Sequence, residues 1–310
     1  EFEEINTDAL QAYTYGDQLY GLPYELVFDT FVINADLLDT LNLDMPEMDW
    51  TLDEYMDLLK KATTTEYSGQ NALGNFSQKL TGIFGSENDL GAHGYNREAN
   101  TVNLTDGSWV SAQHFIKEMK DIPGLISDNM KDQEKRNAGQ LDDYQKKFGE
   151  NADAAREGKV LFMFKASWDW QWVNSLANDW QYLPLPHPDG QPSRQSMHTK
   201  WGMMMSTTEY PDAAFALLKH LTYGKDGNVS KLEYLKNKLN ESGEPAMEFY
   251  IPVTSNDEVN AAFRDLGFVP EGLMWLYENM DTGAYETFRS DWYKDVPGWG
   301  DVSSNMSQRA

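Results

Sequence analysis

Residues 158–164 read Gly-Lys-Val-Leu-Phe-Met-Phe, and residues 167–172 read Ser-Trp-Asp-Trp-Gln-Trp. The unbroken apolar run is typical of a strand that is buried on both faces, as in the centre of an α/β sheet. The tryptophans begin directly after this strand, and ligand contacts in α/β sheets lie at the carboxyl ends of the strands. The stretch therefore predicts an α/β fold with a ligand site beside a central strand.

The chemistry of the tryptophan-rich segment favours a carbohydrate ligand. Trp168, Trp170 and Trp172 alternate with Asp169 and Gln171. Aromatic rings stack on the apolar face of a sugar, while acids and amides beside them bind its hydroxyl groups. The same spacing also fits one face of a core strand, and a helix that began here would spread the three rings around its axis. Core packing and ligand stacking therefore stay open for each ring.

Further polar side chains are available to bind the edge of a sugar. Asn174 follows the tryptophans, and Asp29 and Asn34 lie on either side of the apolar run at residues 31–33. Asn34 is equally suited to cap a helix that follows a strand, because its side chain accepts a hydrogen bond from the first helical turn. Both roles remain open for Asn34.

The chain is strongly acidic. Its 310 residues include 50 Asp and Glu against 25 Lys and Arg, which gives a formal net charge of −25. Such a field repels phosphate, so the composition argues against nucleic acid, nucleotide and anionic lipid partners. The chain has no cysteine, which excludes disulfides, thiolate metal sites and cysteine nucleophiles. Its five histidines lack metal-ligand spacing, and we expect neither a metal nor a cofactor.

Local signals place several helices and strands around the central strand. Residues 30–34 are typical of a buried strand, and Thr51 with Glu54 forms a capping box at the start of a helix. Helical spacing continues over residues 106–120, 143–155 and 209–224, and residues 181–200 are typical of a loop. No apolar run reaches the ~18 residues of a membrane-spanning helix.

Several blocks of sequence occur in an order that resembles a known family. They are Tyr-Gly-Leu-Pro-Tyr at 20–24, Val-Ile-Asn-Ala-Asp-Leu-Leu at 32–38, Trp-Thr-Leu-Asp-Glu at 50–54, Glu-Gly-Lys-Val-Leu-Phe-Met at 157–163 before Ser-Trp at 167–168, Leu-Pro-Leu-Pro at 183–186, residues 202–206 and Tyr-Pro-Asp-Ala-Ala at 210–214. Together they resemble the family 1 extracellular solute-binding proteins of ABC importers. The maltose-binding proteins are distant relatives with the same layout.

The resemblance implies both a fold and a function. The fold is a periplasmic-binding-protein-like, two-lobed clamshell of type II, with α/β topology in each lobe. Such proteins are not enzymes: they bind a solute, often a sugar or oligosaccharide, in the cleft and deliver it to the membrane permease of the importer. We therefore expect a monomer when the protein is complete, located outside the cytoplasm as a periplasmic protein or a cell-surface lipoprotein.

The position of the first block predicts how the chain is divided. Because Tyr20 lies too early for a complete first lobe, we expect the chain to lack most of that lobe and the extreme carboxyl terminus. Residues 1–23 are then the end of the first lobe and a hinge crossing, 24–200 the second lobe, 201–253 returning helices of the first lobe, and 254–310 second lobe and closing helices. Apolar helix residues would be left exposed, namely Leu217, Leu218, Leu221, Leu232 and Leu235.

The resemblance also implies which residues bind the ligand. Trp168 follows the apolar strand where relatives place a sugar-stacking aromatic residue, with Asp169 and Trp170 beside it. Trp299 falls near a segment that presents another aromatic residue to the ligand. Tyr24 and Glu25 follow one crossing between the lobes, and Trp201 marks the second crossing. The implied ligand-binding set is therefore Tyr24, Glu25, Trp168, Asp169, Trp170, Trp201 and Trp299.

Two alternatives use the same residues differently. A glycoside hydrolase also combines tryptophans with acids, and Asp169 and Glu25 would be its carboxyl pair. A binding protein for a cationic solute, such as a polyamine or a peptide, would use the net charge of −25 together with aromatic walls. Both alternatives stay open beside the sugar-binding interpretation.

Overall fold

The structure is a computed structural model that describes most of the chain. It describes residues 2, 4–5, 9–10, 13–15, 18–71, 73–85, 95–96, 101–102, 107–126, 130–242, 250–280 and 285–289. Trp299, one of the predicted ligand-binding residues, lies outside these residues. The following description concerns the described residues alone.

Strands and helices alternate along the chain. The strands are β1 (Thr14–Tyr15), β2 (Gln18–Leu19), β3 (Leu22–Asn34), β4 (Ser68–Gln70), β5 (Tyr95–Asn96), β6 (Thr101–Val102), β7 (Val160–Ala166), β8 (Trp180–Leu183), β9 (Ser193–Gly202) and β10 (Tyr285–Arg289). The helices are α1 (Ala35–Leu41), α2 (Leu52–Ala62), α3 (Gly74–Ser77), α4 (Leu80–Phe84), α5 (Gly107–Lys120), α6 (Met130–Asn137), α7 (Asp143–Phe148), α8 (Trp170–Asn174), α9 (Pro211–Leu221), α10 (Lys225–Ser242), α11 (Asp257–Arg264) and α12 (Glu271–Asn279). The predicted α/β class is confirmed.

The chain forms two compact units. The first unit contains residues 1–28, 166–171 and 197–278, and the second contains residues 29–165, 172–196 and 279–310. The boundaries between the units fall within β3, β7, α8, β9 and α12. The lobe boundaries implied by the family resemblance stay a prediction.

The sheet of the second unit is built around β3 and β7. Residues 31–34 of β3 pair antiparallel with β8, and β7 lies between β3 and β4 in the strand order. Strand β4 pairs parallel with β7, with Ser68 opposite Val160. The apolar run of β7 is therefore a central strand, as predicted. Residues 181–200, predicted as a loop, instead contain parts of β8 and β9.

The core of the second unit is organised around Phe31. This side chain is fully buried. Its ring centroid lies 4.6–6.0 Å from the centroids of five other aromatic rings, those of Trp50, Tyr55, Phe76, Phe162 and Phe164. Trp50 is buried as well, and its indole Nε1 donates a hydrogen bond of 2.8 Å to the carbonyl of Pro184. Trp50 is therefore part of the core of the second unit.

Helix α2 begins at the predicted capping box. Thr51 Oγ1 accepts a hydrogen bond from the Glu54 amide at 3.2 Å, and Glu54 Oε2 accepts one from the Thr51 amide at 2.7 Å. The apolar stripe of the helix then packs into the core. The helix predicted over residues 143–155 is shorter in the structure, where α7 ends at Phe148. It ends there because Gly149 takes a φ of 113°, which is not a helical conformation.

The first unit is held together by the amino-terminal half of β3. Residues 22–28 pair antiparallel with β9, with Leu22 opposite Gly202 and Phe28 opposite Met197. One extra residue, Tyr24, produces a β-bulge in this ladder. On the other edge of β3, the Leu26 amide donates a hydrogen bond of 2.9 Å to the carbonyl of Ile251. This half of β3 is thus paired on both edges around Leu26.

The exposed leucines follow the prediction for one helix but not for the next. Leu217 and Leu221 of α9 are 59% and 48% exposed, and none of the side chains of this fully described helix is buried. Leu232 and Leu235 of α10 were predicted to be exposed, but both are buried. The prediction was wrong for α10 because this helix packs against α11 within the same unit.

We expect Gly69→Ala to destabilise the second unit by about 3 kcal/mol, because the new methyl group cannot be accommodated. A Cβ at Gly69 would lie 2.7 Å from the Leu59 carbonyl oxygen and 2.8 Å from its Cα, which are backbone atoms of α2. The matched control is Gly190→Ala, where nothing lies within 4 Å but φ is +67°. Its cost is limited to roughly 1 kcal/mol of backbone strain. Urea denaturation followed by circular dichroism measures both, and equal losses would contradict the steric explanation.

Candidate functional site

The tryptophan-rich segment begins with a 3-10 turn that two hydrogen bonds hold in place. The turn, Ser167–Asp169, follows β7 directly. Asp169 Oδ2 accepts a hydrogen bond of 3.0 Å from the Ala166 amide, and Ser167 Oγ accepts one of 3.3 Å from the Phe28 amide. All four residues belong to the first unit. The backbone that carries Trp168 is therefore tied to the end of β7 and to β3.

The three tryptophans of this segment have different environments. Trp168 is 53% exposed, whereas Trp170 is 6% exposed and its ring centroid lies 6.1 Å from that of Phe268. Trp172 is half-buried, and the Lys165 ammonium lies 4.1 Å from its ring centroid. Helix α8 begins at Trp170, so the strand interpretation of this segment was wrong and the helix-start alternative is confirmed. Trp168 lies in the 3-10 turn that precedes α8, and its ring is left exposed.

The exposed indole of Trp168 contacts a histidine on β9. The ring centroids of Trp168 and His198 lie 4.7 Å apart, with an angle of 52° between the ring planes. His198 is half-buried and lies opposite Val27 in the ladder between β9 and β3. The indole is therefore packed on one side and open to solvent over about half of its surface.

A charged pair lies on the same face of this ladder. Lys200 Nζ donates hydrogen bonds of 2.8 Å and 3.0 Å to the two carboxylate oxygens of Glu25. Glu25 is buried, while the side chain of Lys200 is partly exposed. His198 and Lys200 are two residues apart on β9, and side chains at that spacing point to the same face of a strand. Trp168, through His198, and Glu25 therefore share one face.

Trp201 lies on the opposite face of β9. It is 47% exposed, and its ring centroid lies 5.7 Å from that of Tyr13. The Tyr13 hydroxyl donates a hydrogen bond of 2.9 Å to the carbonyl of Thr199. Trp201 and Thr199 alternate with His198 and Lys200 along the strand. The structure thus does not bring Trp201 together with Trp168.

Tyr24 lies beside a partly buried lysine. The Lys231 ammonium lies 5.7 Å from the ring centroid of Tyr24 and 4.6 Å from that of Tyr250, and it donates a hydrogen bond of 2.9 Å to the carbonyl of Leu221. Burial lowers the pKa of Lys231, and the negative charge of Glu25 opposes that shift. Burial also raises the pKa of Tyr250. The aromatic face of Tyr24 is thus already next to an internal cation.

Two of the three further candidate sugar partners, Asn34 and Asp29, have roles inside the second unit. Asn34 is fully buried, and its Oδ1 accepts a hydrogen bond of 3.2 Å from the Leu37 amide, which confirms it as the N-cap of α1. Asp29 is also buried; it forms a 2.7 Å ion pair with Lys79 and accepts a hydrogen bond from Ser196. The oxygens of both side chains therefore bind protein groups.

His198 and Lys200 were not predicted as part of the site. They lie in a segment whose Pro, Ser and Gln content is typical of a loop, and only their two-residue spacing hints at a strand. Identifying them requires the register between β9 and β3, which depends on contacts across the sheet. Within the part of the chain that the structure describes, no group of His, Asp or Glu is arranged to hold a metal ion, and no helix is long and apolar enough to cross a membrane.

Residues 2–236 match the family model of the bacterial extracellular solute-binding proteins. Among curated protein sequences, none matches the chain significantly. Among solved structures, the chain is similar to an ABC substrate-binding protein from Listeria monocytogenes in complex with cycloalternan, with a TM-score of 0.65 and 15% identity. This match covers 99% of the chain and 69% of the Listeria protein.

Two further solved structures have the same fold. The maltotriose-binding protein of Thermus thermophilus, bound to maltotriose, matches with a TM-score of 0.58 and 18% identity over 98% of this chain and 71% of its own. UgpB from Mycobacterium tuberculosis, in complex with glycerophosphocholine, matches with a TM-score of 0.62 and 13% identity over 98% of this chain and 68% of its own. At these identities the similarity establishes the periplasmic-binding-protein-like fold, as predicted.

We expect Lys79→Met to lower the free energy of unfolding by about 3 kcal/mol, because it leaves the Asp29 carboxylate buried without its cation. The matched control is Lys61→Met, which removes an ion pair with Asp57 in which both side chains are more than half exposed. That variant loses at most about 0.5 kcal/mol. Chemical denaturation of both variants measures the difference. If the two variants unfolded at the same denaturant concentration, Asp29 would have to be solvated rather than buried.

Proposed function

The chain belongs to the bacterial extracellular solute-binding proteins, and on that premise we propose that it binds a sugar or oligosaccharide and delivers it to the permease of an ABC importer. The observation that carries the proposal is the exposed indole of Trp168 at the carboxyl end of β7. A large apolar ring costs free energy when water covers it, and a sugar face can replace that water. Two of the similar structures contain maltotriose or cycloalternan.

The groups around Trp168 supply what the edge of a sugar requires. Lys200 is partly exposed and has donors for hydroxyl oxygens, while the carboxylates of Glu25 and Asp169 accept hydrogen bonds from hydroxyl groups. Hydrogen bonds to charged groups are stronger than neutral ones, so a few of them fix the orientation of a stacked ring. We therefore place Trp168, Asp169, Glu25 and Lys200 at the centre of the proposed site.

The remaining predicted ligand residues have less support. Tyr24 and Trp201 stay proposed contacts, and Trp299 stays a prediction from the family resemblance. Trp170 is almost completely buried against Phe268, which favours a role in supporting the turn over direct contact with the ligand. We further propose that residues 24–200 form most of one lobe and that the lobes close on the ligand.

The family assignment supports a location outside the cytoplasm. Whether the protein is free in the periplasm or anchored as a cell-surface lipoprotein depends on a membrane anchor, and we propose one of these two arrangements. We also propose that the protein functions as a monomer whose macromolecular partner is the permease. Its surplus of 25 negative charges disfavours contact with nucleic acid.

The contacts of the two suspected carboxylates favour binding over hydrolysis. A glycoside hydrolase requires one protonated carboxyl group and one ionised group on either side of the scissile bond. Here Glu25 is paired with the Lys200 ammonium, and Asp169 accepts a backbone hydrogen bond. Both carboxylates are therefore already bound by groups of the protein itself. We therefore propose that the protein is not an enzyme, in line with the binding proteins that it resembles.

A cationic solute is the second candidate. Lys231 shows that a cation is accommodated between the rings of Tyr24 and Tyr250 in the first unit. Cations bind favourably to aromatic faces, and a quaternary ammonium group is a frequent ligand of such sites. UgpB, with the same fold, was solved with glycerophosphocholine, which carries such a group. The acidic surface would attract such a solute.

The test of the proposal is a calorimetric titration of the protein with maltotriose, cycloalternan and related neutral oligosaccharides, with choline and spermidine as cationic probes. We expect one sugar class to bind and Trp168→Ala to weaken it about 30-fold, or ~2 kcal/mol, because the stacking surface is lost. Trp168→Phe keeps an aromatic face and loses less affinity. Tyr234→Ala, which removes another exposed aromatic side chain of the first unit, binds like the unmodified protein.

The outcomes separate the two candidates. Binding of the cationic probes alone would replace the sugar-binding proposal with the second candidate. Sugar binding that Trp168→Ala leaves unchanged would support the family function but remove Trp168 from the site. Thermal unfolding of each variant is the control, since the exposed ring of Trp168 contributes little to the stability of the fold.

A further inference from the structure

We infer that His198 is a positioning residue that holds the indole of Trp168 in the orientation required for ligand stacking. The inference deepens the proposed function and rests on it. It adds a positioning side chain outside the tryptophan-rich segment, on strand β9. The carrying observation is the ring contact between Trp168 and His198, with centroids 4.7 Å apart.

Trp168 requires such a support because the 3-10 turn fixes its backbone but not its ring. The hydrogen bonds of Asp169 and Ser167 fix the positions of main-chain atoms. The two side-chain torsions of Trp168 are restrained only by what packs against the indole, and about half of the ring surface is exposed. An indole that is free to change rotamer would lose conformational entropy when a ligand binds, and this loss would weaken the binding.

His198 is suited to this role because it stands on a rigid element. It is paired opposite Val27 in the antiparallel ladder, whose register continues through Phe28 and Met197. Phe28 also donates a backbone hydrogen bond to Ser167, the residue that precedes Trp168. The strand that carries His198 and the turn that carries Trp168 are thus both hydrogen-bonded to the same strand, β3. The orientation of the indole is thereby set by the sheet.

The role belongs to the aromatic ring of His198 rather than to its polar atoms. Trp168 and His198 contact each other through their rings, whose planes are tilted by 52°. A flat ring at position 198 therefore preserves the support, whereas a methyl group leaves a gap beside the indole. His198→Phe and His198→Ala separate these two cases, and thermal unfolding reports whether either variant loses the fold.

The first measurement is the affinity for maltotriose, or for whichever panel oligosaccharide binds most tightly. We expect His198→Ala to weaken binding roughly 5-fold, because the ring of Trp168 must then be ordered at the moment of binding. His198→Phe stays within about 2-fold of the unmodified protein, since it keeps a flat ring. The double variant Trp168→Ala with His198→Ala binds no more weakly than Trp168→Ala alone, because the effect of His198 passes through the indole.

The second measurement needs no ligand. Labelling the protein with 5-fluorotryptophan gives a fluorine resonance for each of the ten tryptophans, and the Trp168 resonance is the one lost in Trp168→Phe. We expect His198→Ala to shift and sharpen that resonance while the other resonances stay in place, as for a ring that moves faster. His198→Phe shifts the resonance without sharpening it.

The outcomes distinguish this inference from the proposed function. If Trp168→Ala weakens binding and His198→Ala does not, the sugar site stands and the positioning role is wrong. If the two single effects add in the double variant, His198 acts independently of Trp168 and the inference is overturned. If no oligosaccharide binds, the proposed function fails. The fluorine measurement still tests the inference in that case: an unchanged Trp168 resonance in His198→Ala would show that His198 does not hold the ring.

Discussion

Each polar side chain that β3 buries has to be paired inside the protein. The strand is buried at all positions except Tyr24, yet it carries Glu25, Asp29, Thr30 and Asn34. A polar group taken from water without a partner costs several kcal/mol at most sites, and a charge costs more. Their partners come from different parts of the chain: Lys200, Lys79 with Ser196, the carbonyl of Lys165, and the amide of Leu37. The neighbours of β3 are therefore fixed by hydrogen bonding as well as by apolar packing.

The features predicted correctly from the sequence are those whose cause is local. Thr51 and Glu54 are three residues apart, so the capping box needs no information from the rest of the fold. The apolar run of β7 is continuous, which allows only a position buried on both faces.

The features that the sequence left open depend on contacts between distant segments. Leu221 and Leu232 lie on consecutive helices, but Leu221 is 48% exposed, whereas Leu232 is buried on a helix that packs against both α9 and α11. The rings of Trp168 and Trp170 differ in exposure because a helix begins between them, and no residue type marks that start. Lys200 becomes part of the site through its register with Glu25, and a shift of one residue would turn it to the other face.

The contrast between Trp168 and Trp170 separates the proposed recognition of the solute from folding within two residues of the chain. Trp170 is enclosed by the protein, so changes there are selected against whatever the solute is. Trp168 contributes its ring mainly to the surface, and replacing it leaves the turn and its hydrogen bonds in place. If Trp168 binds the solute as proposed, single substitutions at position 168 can change the solute and leave the fold intact. Divergent descendants of such a protein would keep the second ring and vary the first.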